Sequence, residues 1–118
     1  MPFTVTPFCM SRKLLERDPM AMMAKEERHT VHVVSDYDER QTIEADVADA
    51  HAACEKAWTV FQNVDEDWRT PDGGRSLMVG DMARVTDASG AKTWWICCSF
   101  GWAETVAPNE DAMQIVER

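Results

Sequence analysis

Long apolar runs, repeats and low-complexity tracts are missing from this 118-residue chain. No apolar run approaches the ~20 residues that cross a bilayer, and no basic stretch followed by an apolar one opens the sequence. We therefore expect a cytoplasmic protein without membrane contact. The hydrophobic share of 45% is ordinary for a globular chain. At this length it predicts a single domain with one core.

Basic residues are scarce: 12 Lys and Arg face 21 Asp and Glu, for a net charge of −9. Residues 35–72 alone hold eleven acids and three bases, a balance of −8. Such a field repels phosphate backbones, so we expect no direct contact with nucleic acid and favour a basic protein partner. The alternative is that the acids only form a solvated face that keeps the chain in solution.

Histidines and cysteines are few: the cysteines lack the paired spacing of a metal or redox site, and the sequence shows no positioned partner for a catalytic histidine. They are His29, His32, His51, Cys9, Cys54, Cys97 and Cys98. Neighbouring Cys97 and Cys98 would point to opposite faces of a strand and could not converge on one metal. We expect free thiols, no metal and no cofactor.

A catalytic constellation is also missing from the sequence. Ser76 and Asp81 lie five residues apart, but no histidine is near them and no nucleophile-elbow pattern surrounds them. We assign them to turn chemistry, with Asp81 accepting backbone N–H bonds. Because no acid, base and nucleophile can be assembled, the prediction is a protein that is not an enzyme.

The N-terminal third predicts short elements. Residues 3–10 suit a first strand, in which Pro7 indicates an edge or a bend. Ser11 can cap a short helix that carries Leu14 and Leu15. A second helical piece at 20–28 and a valine-rich second strand at 30–35 follow, and residues 36–40 read as a charged turn.

The rest of the chain carries the clearer patterns. Apolar residues at helical spacing predict a helix over 45–62, with Glu44 and Asp46 at its N-terminus. Residues 63–75 form a predicted surface loop anchored by Trp68. Two strands at 82–86 and 93–99, joined by a turn at 87–90, predict a hairpin, and an extended piece begins at 101.

Together these elements predict an α+β domain: a small, mainly antiparallel sheet with one principal amphipathic helix packed on it. The single domain spans 1–118. It comprises an N-terminal strand and helix region at 1–44, a core of helix, loop and hairpin at 45–106, and a C-terminal segment at 107–118.

A helix ending in an aromatic residue and Asn, then a loop, a Ser-Leu-x-Val-Gly-Asp run, a hairpin and a closing Ser-Phe-Gly-Trp segment resembles the YodL-like small domain of phage, prophage and plasmid proteins. The matching residues are Phe61, Asn63, Gly74, Ser76, Leu77, Val79, Gly80, Asp81, Ser99, Phe100, Gly101 and Trp102. The resemblance implies a protein of a mobile genetic element. Relatives occur alone or as modules of large polyvalent proteins with an inferred role against host systems, and the resemblance supplies no catalytic residues.

Carboxylates on a turn, a helix start and a loop can imitate a nucleic-acid backbone and occupy a groove lined by Arg and Lys. Exposed Trp residues beside them would act as anchors, and of the neighbours Trp94 and Trp95 one is expected in the core and the other partly exposed. The candidate partner-binding residues are Asp36, Asp38, Glu39, Asp46, Asp49, Asp65, Glu66, Asp67, Trp68, Asp72 and Trp95.

The leading hypothesis is an anti-CRISPR or antirestriction inhibitor. Such a protein would bind a host CRISPR effector or restriction nuclease on its basic nucleic-acid-binding surface. The alternative is an accessory module for the mobile element's own replication or transfer proteins. The sequence predicts no particular oligomeric state.

Overall fold

A computed structural model describes residues 2–17 and 34–105. The strands are β1 (Pro2–Met10), β2 (Tyr37–Glu39), β3 (Ile43–Asp46), β4 (Met82–Thr86), β5 (Lys92–Cys98) and β6 (Gly101–Thr105); the helices are α1 (Arg12–Arg17), a 3-10 turn (Val34–Asp36) and α2 (Ala50–Val60). The predicted helical piece at 20–28, most of the predicted strand at 30–35, His29, His32 and the C-terminal segment at 107–118 lie outside the described residues.

The six strands form one sheet in which every pairing is antiparallel. The order across the sheet is β2-β1-β4-β5-β6, and β3 pairs with the other end of β1 along the same edge as β2. Helix α2 packs on one face, against β1, β4, β3 and β6. This confirms the expected α+β fold with a mainly antiparallel sheet and one principal helix.

Pro7 predicts an edge strand or a bend; strand β1 lies inside the sheet, so the edge placement is wrong. Pro7 lies opposite the link between β2 and β3, and its carbonyl accepts the N–H of Arg40 at 2.8 Å. In an antiparallel pair the carbonyl and the N–H of one residue point to the same neighbouring strand, so the N–H that Pro7 lacks would also have pointed to this link. The proline therefore falls at the break between β2 and β3, where no ladder bond needs its N–H.

The charged turn predicted at 36–40 is also wrong, because Tyr37–Glu39 pair with the end of β1 as β2. Tyr37 is buried and packs in a core cluster, which fixes the strand, while Asp38 and Glu39 remain exposed. Acidic residues on a sheet edge hinder pairing with another chain. Tertiary burial of one aromatic residue thus overrides the turn propensity of its charged neighbours.

The principal helix is shorter than predicted: it begins at Ala50, and residues 43–46 form β3. Asp49 is its N-cap, and its carboxylate accepts the N–H of Ala52 at 2.8 Å. Glu44 and Asp46 consequently lie on the edge strand and not at the helix start. Ala45 is buried in the core, and that alternation with exposed Glu44 stabilises the strand.

Two core clusters lie on opposite faces of the sheet. Under α2, the fully buried Phe61 and Cys54 pack with Val5 and Val85. On the other face, Leu14 of α1 packs against a cluster made of Phe8, Met10, Tyr37, Met82 and Ile96. The hydroxyl of Ser11 accepts the N–H of Leu14 at 3.1 Å, so the predicted cap of α1 is confirmed.

Candidate protein-binding surface

Asp81 is a buried carboxylate that ties three segments together. Its two oxygens accept the N–H of Met10 at 2.9 Å, the N–H of Met78 at 2.8 Å and two bonds of 2.9 Å from the guanidinium of Arg75. The predicted turn role is confirmed, and Met10 and Arg75 are partners that sequence reasoning missed. With four accepted bonds this carboxylate holds the chain together.

The loop at 61–75 is organised by Asn63. Its amide donates to the carbonyl of Gly74 at 2.9 Å, its Oδ1 accepts the N–H of Thr70 at 3.0 Å, and its backbone N–H donates to the hydroxyl of Ser76 at 2.8 Å. Thr70 also donates to Gly74 at 2.7 Å. Ser76 is thus a structural acceptor, and the loop is held in one conformation by its own polar groups.

Arg40 docks this loop on the sheet edge. Its Nε and Nη2 donate to the two oxygens of Asp72 at 2.8 and 2.7 Å, and its guanidinium lies 5.1 Å from the ring centre of Phe61. These bonds hold the pKa of Asp72 far below its usual range. A Cβ at Gly74 would lie 2.5 Å from Nη2 of Arg40, so any other residue there would displace the guanidinium.

Two of the predicted partner-binding acids are neutralised within the molecule. Asp36 is buried and forms an ion pair of 3.1 Å with Arg17. Asp72 forms the bidentate pair with Arg40. Because both charges are already paired within the molecule, we leave Asp36 and Asp72 out of the proposed surface. The carboxylate of Asp49 remains exposed, but it caps α2.

Four exposed acids line one border of the sheet and are called the acidic edge: Asp38, Glu39, Glu44 and Asp46. Cross-strand partners share a face, and Glu39 pairs with Phe8 of the cluster opposite α2. Glu44 and Asp46 pair with Thr4 and Pro2 on that same face. Asp38 pairs with Cys9 and therefore projects on the α2 side. The acidic edge consequently presents charge on both faces.

Three further exposed acids, Asp65, Glu66 and Asp67, are called the acidic loop. The carboxylate of Asp65 accepts the N–H groups of Asp67 and Trp68, each at 2.9 Å. The indole of Trp68 donates to the carbonyl of Thr59 at 3.2 Å and is 47% exposed. Trp68 is thus folded back onto the end of α2, as predicted for an anchor, with half of its surface open.

Arg40 links the acidic edge to the segment that carries the acidic loop. Asp38 precedes Arg40 by two residues, and Arg40 contacts Phe61, which follows α2. Arg40 also pairs with Asp72, at the other end of the loop that carries Asp65. The loop is therefore attached to the sheet at Arg40, between Glu39 and Glu44 of the acidic edge.

A groove of about 620 Å³ separates α2 from the turn between β5 and β6. Phe100, at that turn, is fully exposed, and Trp58 on α2 is 37% exposed. On the rim, His51 Nδ1 lies 2.9 Å from Glu55 Oε1. The groove is lined by His51, Glu55, Trp58, Thr59, Val79, Cys97, Cys98, Ser99, Phe100, Gly101 and Trp102.

Trp94 and Trp95 are both half-buried, so the expected partly exposed residue is present, whereas the expectation that the other lies in the core is wrong. Trp94 packs 5.0 Å from Phe8, and Trp95 lies 5.8 Å from the ring of His51 while its indole donates to Thr93 at 2.9 Å. Each face of β5 is partly covered, which gives both rings neighbours.

Trp58 and Phe100 are the exposed aromatics that sequence reasoning missed. Trp58 is one of the apolar residues whose spacing predicts the helix over 45–62, and Phe100 belongs to the closing Ser-Phe-Gly-Trp segment. The available signal was the place of Phe100 between Ser99 and Gly101, where a turn offers a large apolar side chain few neighbours.

No disulfide joins any of the four cysteines, and burial raises the pKa of Cys9 to about 12. Burial also raises the pKa of Cys54. Within residues 2–17 and 34–105 no three His, Cys, Asp or Glu side chains are grouped so that they could hold a metal ion. Over the same residues no helix is long and apolar enough to cross a membrane.

Comparison with protein family models, with curated proteins and with solved structures finds no match for this chain. The resemblance to the YodL-like domain therefore stays a prediction from the residues that carry it.

Proposed function

We propose that this chain is a non-enzymatic inhibitor, encoded by a phage or plasmid, that binds a host defence protein such as a CRISPR effector or restriction nuclease. The acidic edge and the acidic loop would cover the basic surface on which that protein holds nucleic acid. The observation that carries the proposal is the exposure of these seven carboxylates, four along one border of the sheet and three on a loop that Arg40 attaches to that border. Its attribution to a mobile element rests on the YodL-like resemblance.

The dimensions of the acidic edge suit this role. From Asp38 to Asp46 the edge runs over eight residue steps, up to roughly 26 Å at the rise of a strand. Carboxylates distributed along such a line can meet several Arg or Lys side chains of a nucleic-acid groove at once. Arg40 does not cancel this charge, because Asp72 already occupies its guanidinium.

Charge would supply the speed and orientation of the encounter, whereas affinity requires aromatic anchors. Trp68 lies directly beside the acidic loop with 47% of its surface exposed. Its indole N–H is already bonded to Thr59, so burial of the ring against a partner would leave no donor unsatisfied.

The test is a charge reversal with a matched control. Glu44→Lys with Glu66→Lys changes the charge of the acidic edge and acidic loop by four units, and both side chains are exposed. The control is Glu104→Lys on β6, at the opposite edge of the sheet, and its change of two charge units is matched by Glu44→Lys alone. The assay measures how well each variant restores the plating of phage on hosts that carry one of a panel of CRISPR effectors or restriction nucleases.

We expect the chain to protect against at least one system. The first variant should lose at least tenfold of that protection, and the control should keep it; circular dichroism checks that both variants fold. Equal protection by the two variants would contradict binding through the acidic edge and the acidic loop. If no host system is inhibited and pull-down recovers replication or transfer proteins of the element, the accessory-module alternative holds.

A further inference from the structure

The groove between α2 and the β5–β6 turn is a second candidate binding site, separate from the acidic edge and the acidic loop. Its volume of about 620 Å³ is in the range of small-ligand sites, and aromatic side chains stand on both walls. Phe100 is fully exposed at the turn, and Trp58 is 37% exposed on the helix opposite. Isolated exposed apolar residues are common on protein surfaces, but two aromatics that face one concavity are typical of an interaction site.

The polar groups of the groove favour a cation. Glu55 places a carboxylate on the rim, and its side chain is 63% exposed, so it can accept further hydrogen bonds beside the one with His51. A guanidinium stacks on aromatic faces and pairs with a carboxylate through two parallel N–H bonds. The combination of Trp58, Phe100 and Glu55 offers both contacts at once.

We propose that this groove binds an arginine side chain presented by a basic segment of a partner protein. The guanidinium would lie against the Trp58 and Phe100 rings and donate to Glu55. The inference deepens the proposed function and rests on it for the basic character of the partner.

A second copy of this chain is the other occupant to consider, with Phe100 of each copy in the groove of the other. Charge argues against it, because two chains of net charge −9 repel each other. The same field attracts a basic segment. A lysine would satisfy the charge, but its compact ammonium group neither stacks as a plane nor pairs bidentately.

The experiment titrates the full chain with a probe peptide, acetyl-Gly-Ser-Arg-Ser-Gly-amide, and follows backbone and indole N–H signals by NMR. Two matched peptides carry citrulline, which is planar but uncharged, or lysine in place of arginine. We expect millimolar binding of the arginine peptide, with shifts at Phe100, Gly101 and the Trp58 indole. Citrulline should bind at least tenfold more weakly, and lysine at least threefold.

Variants then assign the contacts. Glu55→Gln and Phe100→Ala change exposed side chains and should each weaken the arginine peptide at least fivefold, whereas Glu104→Gln on β6 should leave it unchanged. Three results would each overturn the assignment: equal binding of the citrulline peptide, shifts confined to the acidic edge, or no binding at about 20 mM peptide. For a contact of this kind 20 mM is an order-of-magnitude ceiling on Kd, roughly −2.3 kcal/mol. A sedimentation experiment in which the parent chain is a dimer and Phe100→Ala is a monomer would overturn it as well.

This result is separable from the inhibition assay. Arginine-specific binding in the groove without protection against any host system would leave the groove assignment standing and refute the proposed function. Protection that survives Glu55→Gln and Phe100→Ala, together with a peptide titration that shows no shifts, would refute arginine binding in the groove. It would leave the proposed binding through the acidic edge and the acidic loop unaffected.

Discussion

Removal of the charge of Asp81 is the sharpest test of how this fold is held together. Asp81 is fully buried and accepts four hydrogen bonds from Met10, Met78 and Arg75. In Asp81→Asn the side chain keeps its shape, but one acceptor oxygen becomes an NH₂ donor. That donor would face N–H groups, and Arg75 would lose its counter-charge.

The magnitude follows from the burial of the two partners. Removal of one member of a buried ion pair costs about 3–5 kcal/mol. The side chain of Arg75 is 36% exposed, so water can recover part of its solvation, and we place the loss near the lower bound. At about 4 °C per kcal/mol for a domain of this size, a loss of about 3 kcal/mol lowers Tm by about 12 °C.

Thermal unfolding at pH 7, followed by circular dichroism, measures this loss. The control is Asp67→Asn in the exposed acidic loop, for which we expect a change within about 0.5 kcal/mol. The double variant Asp81→Asn with Arg75→Gln should lose less stability than the two single variants summed, because either substitution alone already breaks the ion pair. A Tm for Asp81→Asn within about 2 °C of the parent chain would refute the reasoning.

Two further predictions concern acids that the structure assigns to the fold. The Arg40 bonds lower the folded-state pKa of Asp72, so its contribution to stability is present above the unfolded-state pKa of about 3.9 and is lost as the pH falls toward the folded-state value. Asp72→Asn should therefore destabilise the chain at pH 7 and do so less at pH 3 in urea unfolding; an equal loss at both pH values would contradict this. Asp49→Ala removes the cap of α2 and should cost about 1 kcal/mol, whereas Asp49→Asn keeps an acceptor oxygen and should cost less than half of that in the same assay.

Local patterns located much of the fold. The alternation in residues 3–10, the serine before α1, and the two strands around the Asp87–Gly90 turn all carry their own signals, and the structure places elements at each of them. These signals are short-range, since a cap, a turn or an alternation depends on neighbours within a few residues.

Strands β2 and β3 escaped prediction because their residues carry no strong local preference. Residues 43–46 and 37–39 are strands through pairing with β1 and through burial of Ala45 and Tyr37. The predicted helix over 45–62 begins too early because residues 43–46 pair with β1 as a strand. That pairing has no local signal, since β1 begins at Pro2, over forty positions earlier.

The candidate surfaces divide in the same way. The sequence by itself determined the excess of carboxylates in residues 35–72, the absence of a catalytic motif and the kind of fold, because composition and short-range spacing are sufficient for these. Only the tertiary structure decided which acids remain exposed, since Arg17 and Arg40 lie 19 and 32 residues from the acids that they neutralise. It also decided that Trp58 and Phe100 face one groove, because that proximity arises from packing of α2 against the sheet and has no signature along the chain.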